Sequence, residues 1–150
     1  MQDIYFEDVV PGAEVRAEAS YVIPEQELID FAATWDPLPI HIDKAFAAQH
    51  GGLTAAGTYL LAIKMRLIHS LPFRRTVIAS TGYDELRFHK PAYPNDKLSL
   101  KLEWIEKRRS RSKPDRGIVT IKFFLLNAAD EVILSHLDTV IMRLRNPEAV

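Results

Sequence analysis

The spacing of apolar residues changes along the chain, and the change separates a helical first half from a strand-rich second half. From Pro24, the residues Leu28, Phe31, Ala32 and Trp35 recur at helical spacing and form one apolar face. Pro24 suits a first helical turn, where its missing N–H costs nothing. Glu25 and Glu27 complement the positive end of the helix dipole. Pro37 and Pro39 stop this helix at about Trp35, so Asp36 to His41 is expected as an extended loop. Asp43 is placed to cap a short helix through Ala45, Phe46, Ala47 and Ala48, and Gly51-Gly52 to end it. A third helix is expected from a Thr54 cap to Ser70, before Pro72. Leu60, Leu61, Ile63, Leu67 and Ile68 make it apolar on most sides, which predicts burial. Lys64, Arg66 and His69 fall toward its negative end, where cations are favoured.

The remaining pattern reads as strands. Pro11-Gly12 marks a turn, and Val15 to Val22 mixes apolar and polar residues as a strand would. Leu98, Leu100, Leu102 and Trp104 alternate with Ser99, Lys101 and Glu103, the signature of a half-buried strand. Ile118 to Leu126 is apolar at nearly every position, which predicts burial on both faces. Asn127 to Asp130 is a hairpin turn, followed by a strand from Val132 to about Arg143. Arg108 to Gly117 forms a basic hairpin loop between the first two of these strands. Short connections imply antiparallel pairing. A sheet wrapped around one apolar helix is an α+β arrangement, and the sheet's other face needs cover, which predicts a dimer.

Composition narrows the function. One domain spanning 1–150 is expected, large enough for one core. With a formal net charge of -1, no global field argues for a nucleic-acid or membrane partner, and none is expected. No apolar run has the length to span a bilayer, and the acidic N-terminus does not resemble a signal peptide. A cytoplasmic protein is expected. The absence of cysteine excludes disulfides, a thiolate nucleophile and a Cys-based zinc site. The histidine spacings match no metal site, so no metal and no cofactor are expected. His136 and Asp138 would share a strand face and a structural hydrogen bond.

Three segments carry candidate chemistry. Asp36 and His41 stand five positions apart on a backbone stiffened by Pro37 and Pro39. Such a pair can hold one water and move its protons, or it can be a surface cap. Gly51 to Thr58 places small residues at the start of the buried helix. There the Gly57 N–H can meet an oxyanion, or the small residues can simply allow close packing. The basic hairpin with Arg109, Arg111 and Arg116, together with Arg87 and Lys90, can hold phosphates or remain solvated.

Asp36-Pro37-Leu38-Pro39-Ile40-His41-Ile42-Asp43 resembles the hydratase motif of the MaoC-like (R)-specific enoyl-CoA hydratases and dehydratases. Gly51 to Gly57 resembles their glycine-rich entry to a central helix. Asp84 to Pro91, with Asp96-Lys97-Leu98, is similar to their strand and proline turn. The resemblance implies a hot-dog fold: an antiparallel sheet around a central helix, usually dimeric. It also implies reversible addition of water to trans-2-enoyl-CoA, coenzyme A being part of the substrate. Asp36 and His41 would activate the water, and the Gly57 N–H would polarise the thioester carbonyl. Trp35, Leu38, Phe46, Ala56 and Tyr59 would line the acyl group, and Arg87, Lys90, Arg109, Arg111 and Arg116 would meet the phosphates. Leu38 and Ala56 stand where many relatives keep Asn and a His or Ser. Two other readings are a hot-dog acyl-CoA thioesterase and a non-catalytic acyl-thioester-binding subunit.

Overall fold

The computed structural model describes residues 1–147. Its strands are β1 (Asp3–Ile4), β2 (Glu14–Arg16), β3 (Tyr21–Val22), β4 (Arg74–Arg75), β5 (Val77–Phe88), β6 (Lys97–Arg109), β7 (Arg116–Leu126) and β8 (Val132–Arg143). Its helices are α1 (Glu25–Trp35), α2 (Pro39–Ile42), α3 (Lys44–Ala48) and α4 (Gly57–Ile68). The main sheet runs β2-β6-β7-β8-β5, all antiparallel, and β3 also pairs with β6. β1 and β4 form a small parallel pair. This is the expected α+β architecture, with α4 as the helix the sheet wraps.

α4 buries Tyr59, Leu60, Ile63, Lys64, Leu67 and Ile68. Alternate residues of β6 and β7 face the same core, among them Leu98, Leu100, Leu102, Val119, Ile121 and Phe123. Each such large apolar side chain stabilises the fold by ~1.5–3 kcal/mol when fully withdrawn from water. β7 departs from the expectation of two buried faces. Its burial alternates strictly from Arg116 to Phe124, and Ile118 and Phe124 are only half-covered on the outer face.

Three boundaries also differ, each for a local reason. The segment expected as one strand from Val15 to Val22 is broken. Glu18 and Ala19 leave the sheet to donate to the backbone and hydroxyl oxygens of Ser70, just past α4, before Tyr21 rejoins β6. The loop expected from Asp36 to His41 ends at Leu38. Pro39 begins a helix there, its fixed φ suiting the first helical position. α4 begins at Gly57 with Ala56 as its N-cap, so Thr54 lies outside it.

β5 bounds the main sheet. It pairs with β8 on one side, and among the described residues no strand pairs with its other side. Nearly all of its side chains are exposed. Three register shifts, between Val77 and Ala79, between Ser80 and Gly82, and between Asp84 and Arg87 where Glu85 has φ of 52°, bend it. A long exposed edge of this kind is a template for pairing with another chain.

Candidate active site

The Asp36–His41 pair is assembled by three helix ends. α1 stops at Asp36, whose N–H still bonds to the Ala32 carbonyl at 2.8 Å. α2 then turns His41 inward, leaving it 9% exposed. Asp43 closes α2 through its N–H, bonded to the Pro39 carbonyl, and caps α3 by accepting from the Phe46 N–H at 3.0 Å. Gly51 and Gly52, with φ of 94° and 111°, let the chain reverse toward α4.

His41 is held in one tautomer. Its Nδ1 lies 2.6 Å from the Thr54 carbonyl, and a carbonyl can only accept, so Nδ1 carries the proton. The lone pair is then on Nε2, which lies 3.7 Å from Asp36 Oδ2. That gap is too long for a direct hydrogen bond and short enough for one water to reach both atoms. Thr54 also lines a cavity of about 300 Å³ with Ala55, Gly57, Leu60, Phe88 and Lys90. The Phe88 ring rests on Gly57 so closely that a Cβ there would meet it at 2.5 Å. Only glycine leaves the α4 amide end and this ring in their present positions.

Gly57 and Lys90 line this cavity; His41 adjoins it through its bond to the Thr54 carbonyl, with Asp36 beside it, and neither of these two is among its lining residues. Lys90 is ion-paired with Glu131. Ala56 is fully buried behind Gly57. Trp35 (72% exposed), Leu38 and Phe46 lie on the surface around the pair instead of inside the cavity. Tyr59 turns away from it. It stacks on Phe31 and donates to Glu27 Oε1 at 2.7 Å, in a separate cavity behind α4. Burial and the Glu27 carboxylate both push its phenol far above the ordinary range. Arg87 is exposed on β5.

The hairpin arginines are elsewhere in the protomer. Gly117 is opposite Met142, which is opposite Val77, whereas Leu125 is opposite Leu134, which is opposite Phe88. Arg109, Arg111 and Arg116 therefore sit at the far end of the sheet, roughly 25 Å from the cavity along the strands. Arg116 is bonded to Asp115. His136 also differs from expectation. It does not bond to Asp138; its Nδ1 donates to the Leu137 carbonyl at 2.9 Å and its Nε2 accepts from Lys64.

Sequence reasoning missed Thr54, Phe88 and the His89–Ser135 pair, hydrogen bonded at 2.7 Å beside the cavity. Thr54 contributes a main-chain oxygen, which leaves no signature in side-chain identity. Among the described residues, no group of three or more His, Cys, Asp or Glu side chains could hold a metal ion. No helix among them is long and apolar enough to cross a membrane.

A sheet curled around one central helix is the hot-dog fold. The chain belongs to the MaoC-like domain family, whose model matches residues 7–123. It is 30% identical over 134 residues to YdeM of Bacillus subtilis, a protein described as uncharacterized, covering 87% of this chain and 94% of that one. A MaoC-like dehydratase from Rhodospirillum rubrum superposes with a TM-score of 0.85 at 30% identity, covering 95% of this chain and 98% of the other. The R-hydratase PhaJ1 of Pseudomonas aeruginosa superposes with a TM-score of 0.73 at 27% identity, covering 95% and 87%.

Proposed function

We propose that the protein is a hydro-lyase that adds water reversibly to a trans-2-enoyl-CoA, giving the (R)-3-hydroxyacyl thioester. The observation that carries this reading is the His41 tautomer: a proton fixed on Nδ1, and a lone pair on Nε2 facing Asp36 across a water-sized gap. Water held by both groups loses a proton to His41 Nε2 as its oxygen attacks the β-carbon. Asp36 accepts a hydrogen bond from the O–H that stays on the attacking oxygen, and its charge stabilises the imidazolium. The electron pair moves to the thioester, where the Gly57 N–H at the start of α4 bonds the developing enolate oxygen. The imidazolium then returns the proton to the α-carbon, so atoms and charge balance. Dehydration is the reverse.

A homodimer completes the site in this reading. Two copies joined along the open β5 edge, with both α4 helices on one face, pair antiparallel. That places the Val77 end of one protomer beside the Phe88 end of the other. The partner's hairpin, with its Arg109, Arg111 and Arg116, then approaches the cavity where Lys90 already stands, and can meet the CoA phosphates.

The test is the ultraviolet absorbance of the conjugated thioester in crotonyl-CoA and longer trans-2-enoyl-CoAs, with a thiol dye in parallel. The expected result is absorbance loss without thiol release, reduced at least a hundredfold in His41→Ala. Thiol release would assign hydrolysis instead, and binding without either signal would assign a carrier role.

A further inference from the structure

Along α4 the buried stripe is interrupted by a cation. Leu60, Ile63 and Leu67 continue the apolar face, but Lys64 among them is 0% exposed. Its ammonium donates to Tyr83 OH on β5 and to His136 Nε2 on β8, each at 3.0 Å. It also lies 4.3 Å from the Tyr83 ring centroid. An ammonium has three donors, and these are two acceptors. Arg75 of β4 adds a second, half-buried cation, whose enclosed Nη1 has no acceptor. One carboxylate faces them, Asp138 of β8, and its Oδ1 is taken by Ser80 Oγ at 2.5 Å. His136 is a neutral acceptor, because Nδ1–H is bonded to Leu137. Two cations against one carboxylate leave excess positive charge around the buried Lys64, a costly arrangement until an anion answers it.

This cluster lies farther along the same helix than the thioester cavity, whose lining on α4 is Gly57 and Leu60. Phe88 of β5 covers Gly57 at the start of α4, and Tyr83, five residues back along β5, covers Lys64 and touches Met65. Leu60 lines the cavity, and Lys64 follows it by four residues on the same face. From Gly57 to Lys64 the helix rises about 10 Å, and side chains lean back toward the helix start. The span suits an acyl chain of roughly four to six carbons between the Gly57 amide and the Lys64 ammonium.

We propose that this α4–β5 seam receives an acyl chain ending in a carboxylate, so that the substrate is the CoA thioester of a short dicarboxylic acid. Lys64 binds the far carboxylate, and Arg75 adds to the field that attracts it. The inference rests on the thioester reading of the Gly57 cavity and narrows it. Burial holds the Lys64 ammonium down at about 8, so it is mostly protonated at neutral pH and able to bind a carboxylate.

Equilibrium binding of succinyl-CoA and butyryl-CoA tests this apart from catalysis, because neither can be hydrated. They differ in a carboxylate replacing a methyl group. The expected result is at least tenfold tighter binding of succinyl-CoA by the unmodified protein. Lys64→Met should reverse it, weakening succinyl-CoA at least tenfold and tightening butyryl-CoA; Lys64→Gln serves if the Met variant does not fold. Equal binding of the two, or equal loss of both in the variant, overturns the inference. Hydration of crotonyl-CoA without a succinyl preference sinks this inference alone. A succinyl preference without any enoyl-CoA turnover sinks the catalytic proposal alone, and binding of neither thioester sinks both.

Discussion

His41 and His136 are both buried, and each donates its Nδ1–H to a main-chain carbonyl, that of Thr54 at 2.6 Å and of Leu137 at 2.9 Å. Each therefore has its lone pair on Nε2. At His41 that lone pair looks across a gap at the Asp36 carboxylate, beside a cavity. At His136 it is spent on the Lys64 ammonium, between the rings of Tyr83 and Phe123. Burial and the neighbouring Lys64 both push the His136 imidazole below its ordinary pKa, which keeps it an acceptor. A fixed tautomer is common to both sites. In the proposed mechanism, what would separate a reacting histidine from a supporting one is whether Nε2 has space and a carboxylate in front of it.

The carboxylates near the two histidines offer the strongest way to break the comparison. Asp36→Asn should lower hydration of enoyl-CoA by about a thousandfold and leave the thermal unfolding midpoint nearly unchanged, since Asp36 is partly exposed. Asp138→Asn should act oppositely. It removes the one carboxylate facing Lys64 and Arg75, and should cost about 3 kcal/mol in denaturant unfolding. If both variants fold normally and only turnover suffers, the seam around His136 is not the charge-strained element described above.

Replacing the cation itself should have a smaller effect of opposite sign. The groups facing Lys64 are Arg75 on β4, Tyr83 on β5, and His136 and Asp138 on β8. The folded Lys64 loses its proton at about 8, whereas the unfolded side chain holds it to its ordinary value of 10.5. Between these values the unfolded chain binds more protons, so stability rises with pH across that window, and below it the full cost is present. Lys64→Met should therefore stabilise the protein by ~2–3 kcal/mol at pH 7. That advantage should shrink as pH rises from 8 toward 10. Paired denaturation curves of the two proteins at pH 7, 8.5 and 9.5 measure it.

The two regions were also unequally legible in the sequence. The Asp36–His41 element was readable because both residues lie within one short stretch, bracketed by prolines and followed by the Asp43 cap. Even there the sequence predicts a loop through His41, because Pro39 reads as a helix breaker, whereas it serves as a helix starter. β6, β8 and both hairpin turns followed from period-two alternation and turn residues. The Lys64 seam was not legible. The sequence places Lys64 only toward the negative end of α4, because its partners come from β4, β5 and β8, up to 74 residues away. One signal was available: Lys64 is four residues after Leu60 and three before Leu67, on the apolar stripe itself. Charge alone groups the hairpin arginines with Lys90, and only strand register shows that they occupy opposite ends of the sheet.

The smallest expected effect concerns how each histidine is held. His136 stands in the middle of β8, with strands on both sides, and no single cap controls it. His41 stands on a four-residue helix, too short to persist on its own. Asp43 holds that helix from behind, because its side chain anchors α3 at the Phe46 N–H. Asp43→Ala leaves the α2 backbone bond from residue 43 to Pro39 possible but removes the side-chain cap, at a cost of about 1 kcal/mol in unfolding. The same change should let His41 drift from the Thr54 carbonyl. We expect turnover to fall severalfold with little change in KM, and Asp43→Asn or Asp43→Ser, which can still cap, to restore most of it. A loss of stability with turnover intact would mean that Thr54 alone positions His41.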